Sequence, residues 1–110
     1  MSKKRLNDSD WRKDPAFGRL CRAFLDCNSA EQMANFLRDI ATLSELQALG
    51  ERLDVARELT KGSSYRDASQ KVGASTTTVT RVASFLENGR GYRHVLGLQH
   101  GWQPGLVRRA

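Results

Sequence analysis

The 110-residue sequence predicts an all-α fold of about six helices, two of them joined as a helix-turn-helix. Three observations predict it. Apolar residues recur at helical spacing from Phe17 to Leu96. Asp, Ser or Thr stands just before most of the periodic runs, where an N-cap belongs. The stretch from Ser64 to Leu86 divides at Gly73 into two short amphipathic halves. No strand and no internal repeat is expected.

Residues 1–13 lack a period and predict a flexible basic arm with Trp11 as its apolar anchor. Asp14-Pro15 predicts a helix start, an N-cap followed by proline at the first helical position. Phe17, Leu20, Cys21, Phe24 and Leu25 then form the stripe of a first helix ending near Cys27. Ser29-Ala30-Glu31-Gln32 is a capping box for a second helix, whose apolar side is Met33, Phe36, Leu37 and Ile40. Thr42-Leu43-Ser44-Glu45 is another. It opens the longest helix, which carries Leu46, Leu49, Leu53, Ala56 and Leu59 and stops at Gly62. Helices over 64–72 and 75–88 form the helix-turn-helix. After the break at Asn88-Gly89-Arg90-Gly91, residues Tyr92, Val95 and Leu96 predict a short sixth helix. From His100 the composition turns to Gly, Pro and Gln without a helical period, predicting a mobile basic tail over 99–110 that includes Trp102. The domain proper is residues 14–98.

The threonine run Thr76-Thr77-Thr78-Val79-Thr80 favours a strand by intrinsic preference, because β-branched side chains are stiff at χ1. Periodicity decides otherwise. Val79, Val82, Ala83 and Leu86 fall at i, i+3, i+4 and i+7, one helix face, and Ser75 precedes them as an N-cap. Thr77, Thr80, Arg81 and Ser84 are left on the opposite face, with Thr76 beside them in the first turn. Poor helix formers stand there for a reason other than helix stability. Short hydroxyls can hydrogen-bond base edges or phosphates, and threonine methyls can pack on thymine. A solvated face that is merely threonine-rich is the plain alternative.

Net charge is +6, and its placement says more than its size. Residues 1–13 carry five basic and two acidic side chains, residues 89–110 four basic and none acidic, and residues 14–88 nine basic and ten acidic. The surplus sits in the two ends, which suits phosphate contact through counterion release. No apolar run follows Lys3-Lys4-Arg5, so no signal peptide is expected, and no stretch is long and apolar enough to cross a bilayer. Cys21 and Cys27, six apart on one helix, cannot face each other and make no CxxC pair. Thiols in a reducing cytoplasm, with the chain associated with the nucleoid, are the expectation.

Catalysis is not expected. His94 and His100 have no carboxylate or cysteine partner at ligand spacing, and Gly89-Arg90-Gly91 breaks a helix rather than cradling phosphate. Neither a metal nor another cofactor is implied. Six short helices offer more apolar stripe than a small monomer can cover, so a homodimer is expected, with the first two helices building much of its interface. Two-fold symmetry would set two reading helices about 34 Å apart, one turn of DNA.

At the long helix and the helix-turn-helix the sequence resembles the Trp repressor superfamily, in particular its YerC/YecD group. The carrying residues are Leu46-Gln47-Ala48-Leu49-Gly50-Glu51-Arg52-Leu53-Asp54-Val55-Ala56-Arg57-Glu58-Leu59, Lys61-Gly62, and Gly73-Ala74-Ser75-Thr76-Thr77-Thr78-Val79-Thr80-Arg81-Val82, continuing through Gly91-Tyr92 and Val95-Leu96. The resemblance implies an intertwined dimer that binds operator DNA as a small transcriptional regulator, a repressor. It implies that Thr76, Thr77 and Thr80 approach base edges and that Arg66 and Thr78 contact phosphate. Ser75 and Arg81 complete the expected DNA-binding set. Ser69 stands where the motif usually has alanine, and its hydroxyl is expected to bond the carbonyl one turn back. Ala68 is smaller than the aliphatic residue common at its place.

The family's effector pocket maps onto Thr42, Arg52, Arg81, Val82 and Phe85. Arg52 and Arg81 match two arginines that sandwich tryptophan in the Trp repressor. Val82, however, replaces the glycine that leaves room for the indole, and Phe85 replaces a serine. These side chains are expected to fill the cavity, so tryptophan is not an expected ligand. Arg52 is then expected to pair with Glu51, Asp54 or a residue across the dimer. The rival reading is a protein- or RNA-interaction module without operator binding. The face from Thr76 to Ser84 lacks the aliphatic or aromatic anchors either of those uses.

Overall fold

The computed structural model describes residues 5–98 and 102–104. Its helices are α1 (Pro15–Leu25), α2 (Ala30–Ile40), α3 (Leu43–Thr60), α4 (Tyr65–Val72), α5 (Thr76–Asn88) and α6 (Gly91–Val95), preceded by a 3-10 turn at Trp11–Lys13. No strand occurs among the described residues. The chain divides into two compact units, Met1–Thr42 and Leu43–Ala110.

In the first unit the caps act as their sequence predicts. Asp14 Oδ2 accepts from Phe17 N at 2.9 Å, and Ser29 Oγ accepts from Gln32 N at 3.1 Å. Gln32 Oε1 reaches back to Asn28 N at 2.7 Å, one residue before the usual capping-box donor. α1 stops at Leu25 rather than near Cys27. Its last turn tightens there, with Asp26 N shared between the carbonyls of Arg22 and Ala23 at 3.1 and 3.2 Å.

The arm expected over 1–13 has local order in its described part. Asn7 Oδ1 accepts from the amides of Ser9 and Asp10 at 3.0 and 3.1 Å. Trp11 meets Phe17 edge-on at 5.5 Å, with the Arg12 guanidinium 4.8 Å above its ring. Residues 1–4 lie outside the described residues. Phe24 packs edge-on against Phe36 at 5.6 Å, yet no residue of α1 or α2 is buried. Leu25 is 81% exposed. Both cysteines are free, and Cys21 is exposed.

The second unit has the core. Val55, Ala56 and Leu59 of α3 meet Ala68 of α4 and Val79, Val82, Ala83 and Leu86 of α5, all buried. α4 and α5 pack on α3 and on each other. α3 ends in a Schellman turn. Gly62, at φ 100°, places its own amide on Leu59 O at 3.0 Å and that of Ser63 on Glu58 O at 3.1 Å. The Glu58 carboxylate then gathers Lys61 at 3.2 Å, Ser63 Oγ at 3.1 Å and Lys71 at 3.5 Å, joining the end of α3 to the end of α4.

Trp102 departs from its expectation. In place of a mobile tail residue the structure has a side chain only 3% exposed. Its Nε1 donates to Leu59 O at 3.1 Å and its backbone amide to Leu86 O at 3.3 Å. A solitary indole has enough apolar area and one donor to be held in a core without any helical period around it. The rest of the expected tail, residues 99–101 and 105–110, lies outside the described residues.

Candidate nucleic-acid interface

Four buried residues fix how α5 faces outward. With Val79, Val82, Ala83 and Leu86 locked in the core, a helix of 3.6 residues per turn must present Thr77, Thr80, Arg81 and Ser84 to solvent. All four are exposed, as are Ser75 and Thr76, while Thr78 is half-buried. α5 begins where its cap dictates. Ser75 Oγ accepts from Thr78 N at 3.1 Å and donates to Thr78 Oγ1 at 3.0 Å. Thr80 Oγ1 donates to Thr76 O at 3.0 Å. The hydroxyl proton of Thr80 is therefore committed inward, and its lone pairs and methyl group face out.

The turn between α4 and α5 is closed by two residues. Gly73 adopts φ 81°, a left-handed conformation that costs an L side chain about 1–2 kcal/mol. Ser69 holds the turn from inside. Its backbone carbonyl accepts from the amides of Gly73 and Ala74 at 2.8 and 3.2 Å, and its hydroxyl donates to Ala74 O at 2.5 Å. This differs from the bond one turn back that the sequence predicts. The hydroxyl bonds forward because the reversal at Gly73 brings the Ala74 carbonyl within its reach.

Arg66 projects from the first turn of α4 and is exposed. No acidic residue occurs in the first turn of α5, whose own carboxylate, Glu87, comes one residue before its end.

Beside the hydroxyl face runs an open cleft of about 1100 Å³. Thr76, Thr77, Thr78, Thr80, Arg81 and Ser84 line one side, and Leu49, Arg52, Phe85 and Tyr92 contribute to the rest. The structure thus brings most of the expected DNA-binding residues together with Arg52, Val82 and Phe85. Arg66 is not part of that lining, and Thr42 belongs to the other unit.

Val82 is packed into the core as the seam residue its spacing predicts, but two expectations change here, for Phe85 and for Arg52. Phe85 is 58% exposed and forms a wall of the cleft instead of filling it. Position 85 flanks the seam, so its ring is turned out while Leu86 is turned in. It is also an exposed aromatic on the flank of a face that the sequence alone presents as free of them. For Arg52, Glu51 accepts instead from Gln47 Nε2 at 3.2 Å, and the guanidinium acts electrostatically on Tyr92. Burial raises the Tyr92 hydroxyl above the ordinary tyrosine pKa, an effect the Arg52 charge partly offsets.

Ser84 and Tyr92 join the cleft without belonging to the sequence-predicted site. The signal for Ser84 is its i+4 spacing from Thr80, while Tyr92 reaches the cleft only through the chain break after α5.

Among known proteins, residues 16–99 match the family model described as Trp repressor protein. The uncharacterized protein YerC of Bacillus subtilis (strain 168) is 37% identical over 71 residues, 64% of this chain and 68% of its own length. A Trp operon repressor homolog of Xylella fastidiosa (strain M23) is 32% identical over 77 residues, 69% of this chain and 84% of its own. A solved structure of a TrpR like protein from Eubacterium eligens ATCC 27750 superposes with a TM-score of 0.76 at 30% identity, covering 94% of this chain and all of the other. The chain belongs to the Trp repressor family of DNA-binding transcription regulators.

Proposed function

We propose that this protein binds operator DNA sequence-specifically as a homodimer, with α5 in the major groove, and represses transcription in the cytoplasm without responding to tryptophan. One observation carries the reading. The exposed face of α5 is built from short alcohols and Arg81, with no carboxylate before Glu87, and is held outward by a buried aliphatic seam. Short hydroxyls let the helix approach the floor of the groove, and a face without acids avoids repelling phosphate. Thr76, Thr77 and Thr80 are the base-reading residues, and Arg66, Ser75, Thr78 and Arg81 serve the backbone.

The dimer is supported by the first unit, where no residue of either helix is buried despite the stripes of Leu20, Phe24, Met33 and Phe36. Val82 and Phe85 support the absence of a tryptophan response. Both are bulkier than the glycine and serine that the resemblance puts at these places, with Val82 packed on the seam and Phe85 standing on the wall of the open cleft.

Selection of bound sequences from a random duplex pool is the decisive experiment. A two-fold palindromic consensus with half-sites about one helical turn apart is the expected result. Lack of enrichment refutes operator binding and favours the protein-partner reading. Calorimetry with tryptophan should show no saturable uptake at micromolar ligand.

A further inference from the structure

Trp102 lies beyond the residues matched by the family model, which end at 99, and yet it is among the most enclosed side chains of the second unit. Its contacts fall at the ends of three helices. The last carbonyls of a helix have no partner within it. Trp102 supplies a donor to one such carbonyl on α3, Leu59 O through the indole Nε1, and to another on α5, Leu86 O through its backbone amide. Its ring stacks on Tyr65, the first residue of α4, with centroids 6.4 Å apart and planes 28° from parallel. Ala68, one turn further along α4, is fully buried in the same cluster and Val72 packs against it from the helix's last turn, so the first turn of α4 meets the core chiefly through Tyr65 and Trp102.

We propose that Trp102 is a positioning residue for DNA binding. It ties the ends of α3 and α5 to the start of α4 and so sets the angle at which Arg66, adjacent to Tyr65, meets the phosphate backbone. The far end of this eight-residue helix is fixed by Val72 against the core and by the Lys71–Glu58 ion pair, so without Trp102 its first turn, the one that carries Arg66, is free to swing. Even a small pivot carries the Arg66 guanidinium out of reach of its phosphate and weakens binding. The inference rests on the operator-binding reading above and adds to it a determinant outside the helix-turn-helix itself.

The test is a mutant cycle on the full chain, read by duplex binding across a salt series. Trp102→Phe removes the indole donor but keeps an apolar ring. Tyr65→Leu removes the stacked partner while leaving Trp102 in place. Thermal melting confirms that each is folded at the assay temperature, and the two variants guard against failure of either. Each should lower affinity by about five- to tenfold in the parent, the worth of a net hydrogen bond or ring contact. Each should also move the salt slope toward that of Arg66→Ala, and neither should weaken binding further when Arg66 is already alanine.

Equal losses in both backgrounds, or no loss in either, overturn the positioning role while leaving operator binding intact. Failure of the parent to bind any duplex overturns the operator reading, and this inference with it.

Discussion

At the scale of single residues, the bond from Thr80 Oγ1 to Thr76 O narrows what the side chain can recognise. With its proton committed to the helix, Thr80 is an acceptor with an outward methyl group. It suits the exocyclic amines of adenine or cytosine, or the thymine methyl. Thr80→Ala should cost about 1–3 kcal/mol of specific binding and leave non-specific affinity unchanged. Thr80→Val, which keeps the shape and drops the acceptor, should cost as much if an amine is read and little if a methyl is read. Competition binding with single-base variants of the selected site separates the two. Arg66 makes the opposite prediction. Its replacement by alanine should weaken binding to every duplex and reduce the salt slope by about one, because one phosphate is no longer neutralised. An unchanged slope would remove Arg66 from the interface.

At the scale of elements, the turn between α4 and α5 and the junction of α3 with α4 each rest on few groups. Nothing within 4 Å would meet a Cβ at Gly73, so Gly73→Ala tests backbone strain alone and should cost about 1–2 kcal/mol in denaturant unfolding. Val79→Asp places an unpaired carboxylate in the seam and should unfold the motif outright. Glu58 supplies a pH test. Its hydrogen bond from Lys61, with lesser help from Ser63 and the charge of Lys71, holds it below the ordinary carboxylate value of 4.5 despite some opposing desolvation. A depressed folded pKa contributes stability that is present above the unfolded value and lost as pH falls through the folded one. Below pH 4.5 the melting temperature of the parent should therefore fall more steeply than that of Glu58→Gln; parallel curves would contradict the assignment.

These junctions also show what a sequence makes legible. The caps at Asp14, Ser29 and Ser75 and the stops at Gly62 and Gly73 are local rules, readable because each acts within four residues of itself. The outward set of α5 is readable for the same reason, following from the spacing of Val79, Val82, Ala83 and Leu86. Ser69 and Trp102 are not. The Ser69 hydroxyl has candidate acceptors on both sides, and only the chain reversal at Gly73 selects Ala74. Trp102 sits 43 residues from Leu59, whose carbonyl it caps, and no periodicity links the two. For Phe85 the sequence points to the cleft but to the wrong exposure, because one step along a helix separates a wall from a filling.

For the whole molecule, the burial pattern poses a problem of assembly. The second unit buries an aliphatic core, while no residue of α1 or α2 is fully buried; Leu25 and Ile40 are exposed, as are Leu43 and Leu49 in the first half of α3. Apolar surface of this kind is seldom left to water when a second copy can cover it. A two-fold arrangement would also give the protein the symmetry of a palindromic site. The double variant Leu25→Lys, Ile40→Lys is the direct test, since both positions are exposed in the single chain and changing them costs a monomer little. Fully burying one such side chain is worth about 1.5–3 kcal/mol, and symmetry counts each position twice, so association should weaken by at least about 10⁴-fold. Sedimentation should show a dimer for the parent and a monomer for the variant at micromolar concentration. The variant should also lose helical ellipticity, because α1 and α2 have no buried residue to hold them, and it should fall back on half-site affinity for DNA. A parent that sediments as a monomer, or a variant that remains dimeric, would place the interface elsewhere and leave these two helices without a reason for their stripes.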